Sequence, residues 1–211
     1  EGLVLVNVMY DPARLPLPEG LLRRLPGYSA LFMLEPSFRG AHRFTSRLQL
    51  DREALGAAEA LAERIEAEAA GRGPGHEAVL LGLLVELMVF LSRHYGASGT
   101  SGSLALLRMG RLISTLEQRF SEPWTLESMA RIAGLSRTNL LRNFRQATGR
   151  APVEFLIGLR IEAAKRLLRK GELGVTEIAM ETGFGDGNYF ARKFRESTGR
   201  TPTEFRRRER S

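Results

Sequence analysis

The 211-residue sequence is 43% hydrophobic and 26% charged, a balance that fits ordinary globular domains and excludes a disordered or fibrous chain. It contains no cysteine, which excludes a disulfide framework, thiolate metal sites and cysteine-nucleophile chemistry. The net charge of +7 is uneven: residues 1–111 hold 12 basic and 12 acidic side chains, residues 112–211 hold 19 and 12, and an acidic polymer such as DNA suits the second half.

From Gly2 to Leu50 the pattern predicts strands and loops. Leu3 to Tyr10 is an apolar, Val-rich run closed by the turn signal Asp11-Pro12. Ala30 to Leu34 is a second run, closed by Glu35-Pro36, and Ser46 to Leu50 is a third, shorter one. Three strands do not make a complete core, so the expectation is a truncated sheet with an upstream portion missing, in keeping with a first residue Glu1 in place of Met. No stretch joins a basic start, an apolar run and a small-residue cleavage site, and the expected location is the cytoplasm.

Two helices follow. Asp51 is placed to cap one that runs to about Ala70, with Leu55, Ala58, Leu61, Ala62 and Ile65 on one face, and the Gly-rich stretch Gly71-Arg72-Gly73-Pro74-Gly75 ends it. His76 to Tyr95 is apolar over much of its surface and calls for burial, with Glu86 arguing against an isolated membrane span. A helical hairpin packed on the sheet, or on another subunit, is the economical arrangement. Residues 97–103 are small and polar and read as a linker between a first part, residues 1–96, and a second, residues 104–211.

The second part writes one pattern twice. Met129-Ala130, Gly134-Leu135-Ser136, Leu140, Phe144-Arg145, Thr148-Gly149-Arg150, Pro152 and Glu154-Phe155 return as Ile178-Ala179, Gly183-Phe184-Gly185, Phe190, Phe194-Arg195, Thr198-Gly199-Arg200, Pro202 and Glu204-Phe205. The early positions are offset by 49 and the later ones by 50, so the second copy has one extra residue just after its Gly-Phe-Gly turn. Each copy reads as helix, tight turn, helix, giving helix-turn-helix units at 125–145 and 176–195. In the first, Thr125 and Ser136 are N-cap residues and Gly134 the left-handed stop.

Beyond each turn the apolar pairs Leu140/Phe144 and Phe190/Phe194 share a buried face. Thr138, Leu141, Arg142 and Arg145 lie off that face in the first copy, and Asn188, Ala191, Arg192 and Arg195 in the second. A solvated helix face is the ordinary account of one such arginine. Recurrence at matched positions of two helices favours a protein that reads two successive DNA segments. Arginine donates two bonds to guanine, asparagine pairs with adenine, and Leu141 or Ala191 fits a thymine methyl.

Between the copies Pro152 opens a helix to Lys170, about 27 Å long by its rise per residue. That length suits two recognition helices spaced by about one duplex turn, roughly 34 Å. Thr201-Pro202-Thr203-Glu204 then signals a capping box and a short terminal helix.

On these residues, about Leu112 to Arg210 resembles the DNA-binding domain of the arabinose-regulator (AraC/XylS) family of bacterial transcription regulators. The second copy is similar to the family's signature almost along its length. The resemblance implies a mainly helical fold: a seven-helix unit in which each of two recognition helices enters a major groove. It implies base contacts for Thr138, Leu141, Arg142, Asn188 and Arg192, and phosphate contacts for Arg137, Arg145, Lys193 and Arg195. Gly185 and Gly187 depart from the family's usual Ser there. Lacking a capping side chain, they are expected to weaken the start of the second recognition helix and its share of base specificity.

A looser resemblance, about Leu3 to Tyr95, links Leu5 to Tyr10, Leu25-Pro26-Gly27-Tyr28 and the two helices to the sensor domain of the family's rhamnose-responsive members. It implies the last strands of a cupin-type β-barrel for a small-molecule effector, possibly a sugar. It also implies a homodimer through helices 51–70 and 76–95, with packing inside one subunit as the alternative, and RNA polymerase as a further partner. No membrane partner, cofactor or metal is implied: His42, His76 and His94 are widely spaced and make no metal-ligand set. The expectation is a sequence-specific transcription regulator and not an enzyme. A sensing or dimerisation module with only non-specific DNA binding is the alternative.

Overall fold

The computed structural model describes residues 8–34, 48–97 and 101–209, and every regular element among them is helical. The chain divides into two compact units, 1–111 and 112–211.

In the first unit, α1 (Glu19–Leu22) and α2 (Pro26–Tyr28) lead into a π-helical turn, Ser29–Leu34. Two long helices follow, α3 (Arg52–Gly71) and α4 (His76–Ala97). Asp51 caps α3 as its position suggests, accepting from the Ala54 amide at 2.8 Å, and Arg72 closes it in the left-handed region at φ 46°.

The strand expectation does not hold. Ala30 to Leu34, read as a strand, is helical: Ala30 and Leu34, four apart, are both fully buried, and the rings of Tyr28 and Phe32, also four apart, lie 5.3 Å from each other. A five-residue apolar run fits either period, and here tertiary packing decided it. Leu22, Tyr28, Phe32 and Met33 cluster with Leu84 and Met88 of α4. The approach is close: a Cβ on Gly27 would stand 1.9 Å from the Ser92 carbonyl oxygen. Of the other two expected strands, residues 8–10 and 48–50 have no regular structure, and residues 1–7 and 46–47 lie outside the described residues. The strands of a cupin-type barrel are therefore not part of the described fold, and neither is the truncated sheet.

The apolar character of α4 has a direct cause. Its Leu83 and Leu87 pack with Leu61, Ala58 and Ile65 of α3, while Leu84 and Met88 meet the segment from Leu17 to Met33. Among the described side chains of this helix Glu77, Ala78, Val79, Gly82, Glu86 and Arg93 are exposed. By length and hydropathy alone His76–Tyr95 would pass for a membrane-crossing helix. Within its own unit the helix packs on two sides, against α3 and against the segment from Leu17 to Met33.

α5 (Ser101–Gln118) contributes its residues from Leu112 onward to the second unit, where Leu112, Ile113 and Leu116 are fully buried. There follow α6 (Leu126–Ala133), α7 (Arg137–Thr148), α8 (Pro152–Lys170), α9 (Val175–Glu181), α10 (Gly187–Thr198) and α11 (Pro202–Glu209). From α5 to α11 these are seven helices, the number the family resemblance implies. Of the expected linker, Ala97 ends α4, residues 98–100 lie outside the described residues and 101–103 are the first turn of α5.

The repeat in the sequence is a repeat in hydrogen bonding. Thr148 donates to the carbonyls of Phe144 and Arg150 at 2.8 and 3.1 Å, and Thr198 does so to Phe194 and Arg200 at 2.8 and 3.0 Å. Glu154 accepts from the Ala151 amide at 2.9 Å, and Glu204 from Thr201 at 2.8 Å. These bonds satisfy the orphan groups where one helix stops and the next begins, so each Thr-Gly-Arg turn is rigid and polar groups are paired.

Candidate nucleic-acid interface

Both recognition helices are fixed from beneath by phenylalanine and leucine. Leu140 and Phe144 of α7 are fully buried, and Phe144 meets Phe155 of α8 edge-on at 5.5 Å. On α10, Phe190 and Phe194 are fully buried in a cluster with Ile161, Ala164 and Leu168 of α8, Ile178 and Ala179 of α9, and Phe205 of α11. Ring contacts run from Phe184 through Phe190 and Phe194 to Phe205 at 5.1 to 5.6 Å. α8 lies under both helices, and its 19 residues make a spacer about 28 Å long.

The turns differ by one residue. In the first, Thr125 and Ser128 form a capping box, Gly134 ends α6 at φ 63°, and Ser136 caps α7 by accepting from the Asn139 amide at 3.3 Å. In the second, Gly183 and Gly185 both take positive φ, 81° and 70°, and Asp186 caps α10, accepting from the Tyr189 amide at 2.6 Å. The expectation that glycines leave α10 uncapped is thus overturned. Asp186 stands 50 residues after Ser136, and Gly185 is the additional residue that brings it there. An acidic cap also suits the positive end of the helix dipole.

Arg160 of α8 is a residue that sequence reading missed. Its guanidinium donates to the carbonyls of Phe120 at 2.9 Å and Glu122 at 2.8 Å, and lies 5.9 Å from the Phe184 ring centroid. Burial lowers its pKa from the ordinary arginine value. One side chain thereby joins the loop before α6 to the linker helix and to the second turn. The same loop touches that turn again, because a Cβ on Gly183 would come within 2.3 Å of the Ser121 carbonyl oxygen. Only an outlying basic residue on a mostly apolar helix face hinted at this.

On the outer face of α7, Arg137, Thr138, Leu141, Arg142 and Arg145 are all exposed, Leu141 at 39% despite its apolar side chain. On α10, Asn188, Arg192 and Arg195 are exposed, while Ala191 and Lys193 are half-buried. Lys193 is paired with Glu196 at 2.7 Å, and that hydrogen bond raises the lysine pKa and lowers that of the carboxyl. Ala191, Arg192, Arg195, Glu196 and Thr201 line a shallow recess beside α10. All nine candidate residues therefore stand on α7 or α10, and the fold gives each helix an outward basic face.

His76 and His94 each set Nδ1 against a carbonyl, Gly73 at 3.1 Å and Phe90 at 2.9 Å, and His42 lies outside the described residues. Among the described residues no group of three or more His, Cys, Asp or Glu is placed to hold a metal ion.

Residues 129–208 match the family model described as a helix-turn-helix domain. The chain is 33% identical over 192 residues to the HTH-type transcriptional activator RhaS of Escherichia fergusonii, a match covering 90% of this chain and 64% of that one. It is 37% identical over 109 residues to RhaS of Salmonella schwarzengrund, covering 52% of this chain and 38% of the other. The chain thus spans between about two fifths and two thirds of the length of these relatives. Among solved structures, the DNA-binding domain of AdpA in complex with a target DNA is similar at 32% identity, over 49% of this chain and 93% of that one, with a TM-score of 0.47. The C-terminal domain of AraT, a response regulator from Geobacillus stearothermophilus, is similar at 31% identity over 48% and 84%, with a TM-score of 0.46. The repeated helix-turn-helix and its signature residues, with the matched domain and the RhaS relatives, make this chain similar to the arabinose-regulator (AraC/XylS) family of transcription regulators.

Proposed function

We propose that this chain carries the DNA-reading part of a sequence-specific transcription regulator, lying between about residue 104 and residue 211. α7 and α10 enter successive major grooves on one face of a duplex. Thr138, Leu141 and Arg142 meet base edges in one groove, and Asn188 and Arg192 in the next. Arg137, Arg145, Lys193 and Arg195 meet phosphates and set the register, as backbone contacts do. The observation that carries this reading is the pair of exposed basic helix faces at matched positions, each backed by two buried side chains.

In the whole protein the proposal extends to activation of transcription through contact with RNA polymerase, under control of a small-molecule effector, in a soluble cytoplasmic homodimer. Support for activation comes from relatives named as transcriptional activators. For pairing of subunits, α3 offers exposed apolar side chains, Leu55, Ala57, Ala60 and Ala67, while α4 is engaged on two sides within its own unit. No enzymatic activity is part of the proposal.

Selection from a randomised duplex pool at near-physiological salt, read by sequencing the retained DNA, tests the central part. Two short motifs about one helical turn apart are the expected product. On the selected site, Arg145→Ala and Arg195→Ala each reduce the slope of log affinity against log salt by about 0.9, with little change in base preference. Retention without enrichment would show a module that holds DNA only electrostatically.

A further inference from the structure

The two arginines assigned to base edges are not simply exposed. Each is held by the residue three positions before it on its own helix. On α7 the Arg142 guanidinium donates to the Asn139 side-chain carbonyl, Nη2 to Oδ1 at 3.1 Å. On α10 the Arg192 guanidinium lies over the Tyr189 ring, 5.4 Å from its centroid. Asn139 and Tyr189 occupy the same place in the two copies, offset by 50, as do Arg142 and Arg192. Residues three apart on a helix are neighbours, so the spacing makes such contacts available. Chemistry differs between the copies, a hydrogen bond in one and a cation–π contact in the other, while the position is the same.

We infer that Asn139 and Tyr189 are positioning residues for base reading, each limiting the rotamers of the arginine it holds so that the guanidinium is presented outward in a restricted arc. This rests on the proposed base-reading roles of Arg142 and Arg192. A long side chain loses much rotamer freedom when it is fixed on a base, and whatever restriction is present beforehand reduces that loss on binding. The holders are themselves anchored. The Asn139 amide donates to the Ser136 cap, and the Tyr189 amide to the Asp186 cap, so both stand in the first turn of their helices. Tyr189 also packs toward Phe184, ring centroids 6.0 Å apart, which ties its ring to the core under α10. The copies should differ in tolerance: a hydrogen bond fixes direction at one oxygen, whereas a ring face lets the guanidinium slide. Arg142 is therefore the sharper reader, and Arg192 accepts small changes in duplex geometry.

The test uses the whole chain, fluorescence anisotropy, the selected duplex and its single-base variants. First, Arg142→Ala and Arg192→Ala identify the base pair whose preference each arginine sets. At the first of these pairs Asn139→Ala lowers preference by about two- to tenfold, and at the second Tyr189→Leu lowers it by about two- to fivefold. Affinity for random duplex changes little in either. Asn139→Asp keeps the acceptor and Tyr189→Phe keeps the ring, so both retain the preference, judged as a ratio because the added charge of Asp weakens binding to every duplex. A purely structural role would instead lower Tm and all affinities together, with the ratios untouched. Unchanged ratios in Asn139→Ala and Tyr189→Leu, beside lost ratios in the two arginine variants, overturn the positioning role alone. Unchanged ratios in all four variants overturn the base-reading assignment and the positioning role with it.

Discussion

Replacing Arg142 or Arg192 by alanine is expected to weaken binding to the selected site by about 1–3 kcal/mol each, and to relax preference at one base pair. In affinity this is roughly a five- to 150-fold loss. Each arginine stands on the exposed face of a helix whose opposite face is buried, so neither can turn inward, and each guanidinium is already engaged by a neighbour on the same helix. A bidentate donor fork meeting the wrong base leaves polar groups unpaired at a desolvated contact, and that penalty supplies the discrimination. Random duplex should lose far less, because it offers only phosphates. Equal losses on the selected and the random duplex would mean that these arginines touch the backbone alone.

The second large effect is on stability. Gly183→Ala is expected to destabilise the second unit by roughly 2–5 kcal/mol, adding a left-handed backbone cost of about 1–2 kcal/mol to an overpacking cost of about 1–3 kcal/mol. Gly183 has φ 81°, and a Cβ there would reach the Ser121 carbonyl oxygen at 2.3 Å, a backbone atom that cannot move without its loop. Gly185, two residues on, supplies the control. Its φ is 70° but nothing lies within 4 Å of a Cβ placed on it, so Gly185→Ala carries only the backbone cost of about 1–2 kcal/mol. Thermal unfolding followed by circular dichroism separates them, with a shift of about 4–8 °C per kcal/mol in a unit of this size. Equal shifts for the two variants would show that the loop around Ser121 does not rest on the second turn.

What the sequence made legible was mostly local or repeated. Ser136, Gly134, Pro152, Pro202 and Glu204 sit where capping chemistry demands, and the structure uses each at its expected place. Leu140, Phe144, Phe190 and Phe194 were readable as a core face because helical spacing repeats in both copies. Ala30 to Leu34 was misread because a short apolar run has no period long enough to separate strand from helix. The deciding contact, Gly27 against Ser92, joins residues far apart in the chain. Asp186 is hidden as a cap by the glycines on either side and by the one-residue shift in register that separates it from the place of Ser136. Arg160 was illegible for another reason: its partners Phe120, Glu122 and Phe184 lie 40, 38 and 24 positions away, and two of the contacts are to backbone. Sequence periodicity cannot show which distant carbonyl a guanidinium will meet.

On the proposed function, α7 and α10 read two grooves at a spacing set by the helix between them. Insertion of five base pairs between the two selected motifs rotates one groove by about half a turn relative to the other. Affinity is then expected to fall to that of a duplex with one motif, and to return only in part when a full turn is inserted, because α8 cannot lengthen. Undiminished affinity for the half-turn insertion would contradict two-groove reading by this chain.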